Sequence, residues 1–182
     1  MKIETLKPVV IDLDDTLVQG DLLFMSFKKM LRTNFFLIFF VPCWLVRGRA
    51  YLKFQIASRI QFDFAKVPLN SKVIEYIRLK KNEGHPILLM TGATEALATG
   101  LANHLGLFDR VFSSSSSLNF KGSKKTAYLL QKYGHQKYIY VGNGSDDLVV
   151  WRHCFKAGVV SQSSRLIQKV IDLLGKENVF FL

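Results

Sequence analysis

Residues 9–18 read VVIDLDDTLV, a β-branched apolar run that passes directly into aspartates at positions 12 and 14. A strand covered on both faces needs apolar side chains at every position, so Val9, Val10 and Ile11 read as a buried parallel strand that delivers carboxylates to its C-terminal end. Similar runs recur at residues 86–90 and 138–141, with a weaker one at 110–112. Between them, residues 71–83, 95–105 and 124–133 have helical patterns, the last followed by Gly134 as a C-cap. This alternation predicts an α/β fold: a Rossmann-like parallel sheet with right-handed crossovers. Ligands of such sheets bind beyond the carboxyl ends of the strands. Asp12, Asp14, Thr91 and the loop 143–147 all fall there.

Residues 20–69 interrupt the rhythm. They are helical, aromatic and basic with no evident strand, and read as a small helical cap inserted after the first strand. The expected division is a core of residues 1–19 and 70–182 and a cap of residues 20–69. Residues 165–174 form a further amphipathic helix, the tail ENVFFL a short closing element, and the serine run 113–117 a loop after the third strand.

A chain of 182 residues suits one domain, and 49% hydrophobic content excludes intrinsic disorder. Lys and Arg number 25 against 14 Asp and Glu, a net charge of +11 that favours anionic partners: phosphorylated substrates or an anionic membrane surface. Nucleic acid is not expected, because the lysines are dispersed and no basic-aromatic recognition motif is present. Cys43 and Cys154 lack metal-ligand spacing and read as packing residues in a reducing compartment. The N-terminus MKIETLKPVV has no apolar signal segment, so the expected location is cytoplasmic, peripheral to the inner face of the membrane if the cap touches lipid.

Four pieces carry chemistry. Asp12 and Asp14 suit phosphoryl transfer: one carboxylate attacks phosphorus to form an acyl phosphate, and the other protonates the leaving oxygen and then activates water. The attack needs a cation to offset like charges, and hard oxygen ligands imply Mg2+. The competing reading is a turn with N-capping aspartates. Thr91 and Gly92 end the strand ILLM with a hydroxyl and a backbone that a phosphate can approach closely. A lysine at the start of the helix 124–133 would neutralise phosphate and nucleophile; among Lys121, Lys124 and Lys125, Lys125 is favoured, with Lys124 second. Finally YVGNGSDD, residues 140–147, is a strand and an acidic glycine-rich loop whose carboxylates can close the metal sphere opposite Asp12.

In order and spacing these pieces resemble the haloacid dehalogenase-like (HAD) superfamily, whose pattern is DxDxT, a strand-end Ser or Thr, a Lys, and GDxxxD; the match spans residues 7–151. The resemblance implies that Asp12 is nucleophile and metal ligand, Asp14 the acid/base whose carbonyl also binds metal, Thr91 a phosphate ligand, and Asp147 a metal support. Asp14 points to the phosphatase branch, since halide displacement needs no acid at that position. Asn143 departs from the pattern, which has aspartate there. It offers a neutral oxygen, and Asp146 is the alternative donor. The alternative function is therefore a catalytically weak HAD-like module that binds a membrane or a partner through its cap.

In the cap, residues 35–46 read FFLIFFVPCWLV, flanked by Lys28, Lys29 and Arg32 before and Arg47, Arg49 and Lys53 after. Twelve residues are too few to span a bilayer. Two readings stand: a buried cap helix, or a segment lying at a membrane surface. The segments GRAYLKFQIA, HLGLFDRVFSS, NFKGSKK and VGNGSDDLVVW are similar to the HAD domain fused ahead of polyprenyltransferases of the 4-hydroxybenzoate type, although no multi-span hydrophobic region is expected to follow. That resemblance implies a lipid-linked substrate, such as a prenyl-linked sugar phosphate.

Overall fold

Val9–Ile11 forms strand β1, buried at every position, in a computed structural model that describes residues 6–60, 62–115 and 120–182. It pairs within a six-stranded sheet with Ile87–Thr94 (β2), Arg110–Ser114 (β3), Ile139–Gly142 (β4), Lys156–Val159 (β5) and Val179–Phe181 (β6). The order is β3-β2-β1-β4-β5-β6 and every neighbouring pair is parallel. In this doubly wound order the chain moves outward from β1 to β3, then crosses to the other side of β1 at β4. The reversal opens a crevice at the C-terminal ends of β1 and β4.

The helices are Leu22–Thr33 (α1), Val41–Val46 (α2), Arg49–Ser58 (α3), Ser71–Asn82 (α4), Glu95–Leu105 (α5), Gly122–Lys132 (α6), Leu148–Trp151 (α7) and Ser164–Leu174 (α8). Alternate residues of each strand face opposite sides of the sheet. Val9 and Ile11 pack with Leu89 and Val141 against Ile77 of α4 and Leu101 of α5. Val10 packs with Met90 and Tyr140 against Leu129 of α6, Trp151 of α7 and Val170 of α8. Each fully buried branched aliphatic side chain contributes about 1.5–3 kcal/mol to the fold.

Three features differ from the sequence reading. Strand β5, KAGV, carries alanine and glycine where strand propensity would want branched residues; burial between β4 and β6 makes it a strand. The tail's closing element is strand β6, which the sequence did not distinguish as a strand. Of the serine run, Ser113 and Ser114 complete β3, while residues 116 and 117 lie outside the described residues.

Between β1 and α4 the chain builds α1, a 3-10 turn Phe35–Phe40, α2 and α3 around a small cluster of Met30, Trp44 and Ile56. Asp21 starts α1 by accepting the Phe24 N–H at 2.9 Å. The run FFLIFFVPCWLV is not one buried helix. Its first half is a 3-10 turn with no buried residue, and Pro42 lies in the first turn of α2, where its missing N–H is tolerated. Only Trp44 is buried in α2, because the cap's apolar cluster is too small to cover the other side chains. Among the described residues no helix is long and apolar enough to cross a membrane.

Candidate active site

Asp12 follows β1 directly, and its N–H continues the ladder to Val141 O of β4 at 2.9 Å. This places its carboxylate in the crevice at the sheet's reversal, where it lines a cavity of about 310 Å³ with Asp14, Gly92, Lys121, Lys125 and the loop after β4. Lys125 rises from the first turns of α6, is 4% exposed, and donates to Asp12 Oδ1 at 2.5 Å. Burial pushes the Asp12 carboxyl above its usual range; Lys125 opposes that shift and Asp147 adds to it. Asp14 lies two residues on, with Oδ1 held by the Leu22 N–H at the head of α1 at 2.9 Å. Burial raises its pKa to about 6. Between them the chain turns tightly: Leu13 O accepts from the N–H groups of Thr16, Leu17 and Val18, and Asp15 takes the left-handed conformation (φ 54°) that aspartate tolerates.

The second wall is built by β4. Asp147, 5% exposed, accepts from the Tyr140 hydroxyl through Oδ1 at 2.6 Å and from the Asn143 and Gly144 N–H groups through Oδ2 at 3.0 and 3.1 Å. Lys125 donates also to the Tyr140 hydroxyl at 3.0 Å. A continuous chain of contacts thus runs Asp12–Lys125–Tyr140–Asp147. Gly142 makes room for it, since a Cβ there would sit 2.6 Å from Asp147 Oδ2. Tyr140 was not among the residues singled out from the sequence. Its signal was faint: a polar tip on a strand residue otherwise indistinguishable from core.

The phosphate-side residues divide. Strand β2 runs past residue 90, and its register with β3 shifts between Met90 and Thr94. Within that irregularity Gly92 lines the cavity, while the Thr91 hydroxyl is fully buried and accepts the Ala93 N–H at 2.9 Å. Thr91 is not part of the cavity lining. Lys124 is exposed and outside the lining too, because one helical step turns it about 100° away from the inward-facing Lys125. The lysine found beside Gly92 is Lys121, whose stem passes so close that a Cβ at residue 92 would lie 2.8 Å from its Cγ. The cap also reaches in: Lys53 of α3 donates to Gly92 O at 3.1 Å, and burial, aided by the charge of Lys121, lowers its pKa.

The donor set suits a hard cation. Asp12, the Asp14 carbonyl and Asn143 Oδ1 are all oxygens, the chemistry Mg2+ prefers. Asn143 Oδ1 accepts from Thr16 Oγ1 at 3.2 Å, which orients the amide. Asp147 lines the cavity while both its oxygens accept from protein donors, and Asp146 lines it too. Among the described residues no group of three His, Cys, Asp or Glu is placed to hold a metal. The residues fit Mg2+, which Asp12, the Asp14 carbonyl and Asn143 would hold.

The doubly wound sheet with an inserted helical cap is an HAD-like fold. It superposes on the crystal structure of a phosphoserine phosphatase in apo form with a TM-score of 0.62 at 15% identity, over 91% of each chain. A phosphoserine phosphatase captured as a phospho-aspartyl intermediate analogue gives 0.59 at 13% identity, over 91% of each chain. A HAD family hydrolase from Salmonella enterica serovar Typhi gives 0.64 at 11% identity, over 96% of this chain and 68% of that one. In sequence, the chain is 29% identical over 171 residues to uncharacterized protein y4nM of Sinorhizobium fredii, covering 90% of the chain but only 31% of that relative's length. No family model matches the chain.

Proposed function

We propose that the chain is a magnesium-dependent phosphomonoesterase that works through an aspartyl-phosphate on Asp12. The observation that carries this reading is the Asp12 carboxylate at the sheet's reversal, paired at 2.5 Å with buried Lys125 and followed two residues later by a carboxyl titrating near 6. An Asp12 oxygen attacks phosphorus as the ester oxygen departs, and Asp14, whose pKa burial raises to about 6 so that it holds a proton in mild acid, supplies the proton that makes it a neutral alcohol. Asp14 then takes a proton from water, whose oxygen attacks phosphorus and returns Asp12 to its carboxylate. Lys125 holds the nucleophile's orientation and offsets charge on the transferring group, with Lys121 and the Gly92 backbone at its other side. The bound ion, held by Asp12, the Asp14 carbonyl and Asn143, would screen the repulsion between carboxylate and phosphate.

The cavity takes a phosphate and a small head, which supports a substrate whose remainder lies outside it, such as a lipid- or prenyl-linked sugar phosphate. A cytoplasmic site of action fits the two free thiols. The test is turnover of a phosphate-ester panel with Mg2+, including a water-soluble ester and a prenyl-linked one. Wild type is expected to release phosphate and lose activity with chelator. No turnover above that of Asp12→Asn on any ester would sink the reading. One observation favours a second reading, a catalytically weak module: Asn143 in place of a carboxylate. Detectable Mg2+ binding without hydrolysis would select it.

A further inference from the structure

Six large apolar side chains within residues 35–46 are more than half exposed: Phe35, Phe36, Phe39, Phe40, Leu45 and Val46, from 52% to 89%. A soluble surface rarely leaves such a contiguous patch uncovered. Around it the charge is of one sign. From residue 22 to residue 62 the chain has seven Lys or Arg and no Asp or Glu. In the 3-10 turn Phe35–Phe40, residues three apart eclipse one another, so Phe36 and Phe39, 78% and 69% exposed, form the tip. Arg32 in the last turn of α1 and Arg47 at the end of α2 flank it. Beside α1, Lys28, Lys29 and Arg32 line a groove of about 540 Å³ with Met25, Phe62 and Lys66; Asp63, paired with Lys66 at 2.9 Å, is its one acid.

We infer that this face of the cap docks on an anionic lipid bilayer, with Phe36 and Phe39 entering the acyl boundary and the flanking cations on headgroup phosphates. A short aromatic turn suits insertion of about 5–10 Å, too little to span and enough to anchor when joined to basic residues. Charge decides between this occupant and a second copy of the chain, which would bring an equally cationic patch against the first. The inference stands independently of the hydrolase reading. It joins that reading at Lys53, which ties the cap to Gly92 of the cavity lining.

The test is co-sedimentation of the whole chain with phosphatidylcholine vesicles with and without phosphatidylglycerol at ~0.1 M salt, where charges act over about 10 Å. Binding is expected to the anionic vesicles, weak or none to the neutral ones, and to fall as salt rises. Lys28→Gln with Arg32→Gln should weaken it on the order of twentyfold, from about fivefold per cation. Phe36→Ser with Phe39→Ser should abolish it while leaving circular dichroism, thermal midpoint and turnover of a water-soluble ester unchanged. A Phe36→Trp variant should show blue-shifted emission on anionic vesicles only. Absent or composition-independent pelleting overturns the inference. So does light scattering that shows a dimer dissolved by the Phe36/Phe39 pair in a chain that ignores vesicles.

Discussion

Tyr140→Phe removes a single oxygen from the centre of the buried relay. The ring keeps its edge-on packing against Trp151, with centroids 6.3 Å apart, and the Trp151 indole keeps its bond to the Tyr140 carbonyl, so shape is preserved. What is lost is the 2.6 Å bond to Asp147 Oδ1 and the 3.0 Å bond from Lys125. Lys125 retains Asp12, but Asp147 Oδ1 is left in a 5% exposed site without that donor, a loss of about 1–3 kcal/mol. For a chain of this size each kcal/mol moves the midpoint about 2–4 °C, so a fall of roughly 2–12 °C is expected in a circular-dichroism melt. Because Asp147 also holds the Asn143 and Gly144 N–H groups, the Mg2+ concentration for half-maximal turnover should rise with it. Tyr138→Phe is the control. Its hydroxyl donates to Val150 O at 3.2 Å away from the cavity, so stability falls while the metal requirement stays. A Tyr140→Phe protein that melts within about 1 °C of wild type, with an unchanged metal requirement, would refute the relay.

Asn143→Asp adds a carboxylate to the cavity lining and should lower the half-saturating Mg2+ concentration on the order of tenfold in a turnover titration. Gly142→Ala drives a methyl to 2.6 Å from Asp147 Oδ2; a cost of about 1–3 kcal/mol is expected in a denaturant melt, together with lost turnover. Of the two thiols, Cys43 is exposed, whereas burial pushes the Cys154 thiol up to about 12, far from its thiolate form at pH 8. A disulfide-exchange titration should therefore count one fast thiol in the native chain at pH 8, the second appearing only on denaturation.

The core of the site was legible because its chemistry is local in sequence. A β-branched run ending in carboxylates says both where a strand is and which end bears the ligand, and Asp12, Asp14 and Gly92 all reach the cavity on those grounds. What was not legible depends on rotation and burial. Lys125, the favoured lysine, reaches Asp12 and the exposed Lys124 does not, whereas the approach of Lys121 to Gly92 depends on the turn that leads into α6. Thr91 turns away because β2 departs from its register with β3 there. Strand β5 has no propensity signal at all, and the exposure of FFLIFF follows from how little apolar volume the cap offers, a quantity no periodicity reports.

The hydrogen bonds of Asn143 and Asp147 bear on the electrostatics of the crevice. Three carboxylates around one small cation repel one another unless each finds a donor, and in this crevice Asp147 finds three, from Tyr140, Asn143 and Gly144. Through those partners it fixes the loop's backbone, and the Asn143 amide, oriented by Thr16, lines the cavity beside it. Asp12 is already matched by Lys125, and Lys121 and Lys53 stand beside Gly92. The cavity lining nonetheless carries six aspartates, Asp12, Asp14, Asp15, Asp21, Asp146 and Asp147, against Lys121 and Lys125. A further carboxylate at residue 143 would deepen that imbalance, so Asn143→Asp should raise KM for a phosphate ester while it lowers the Mg2+ requirement, and a variant that improved both would contradict this account.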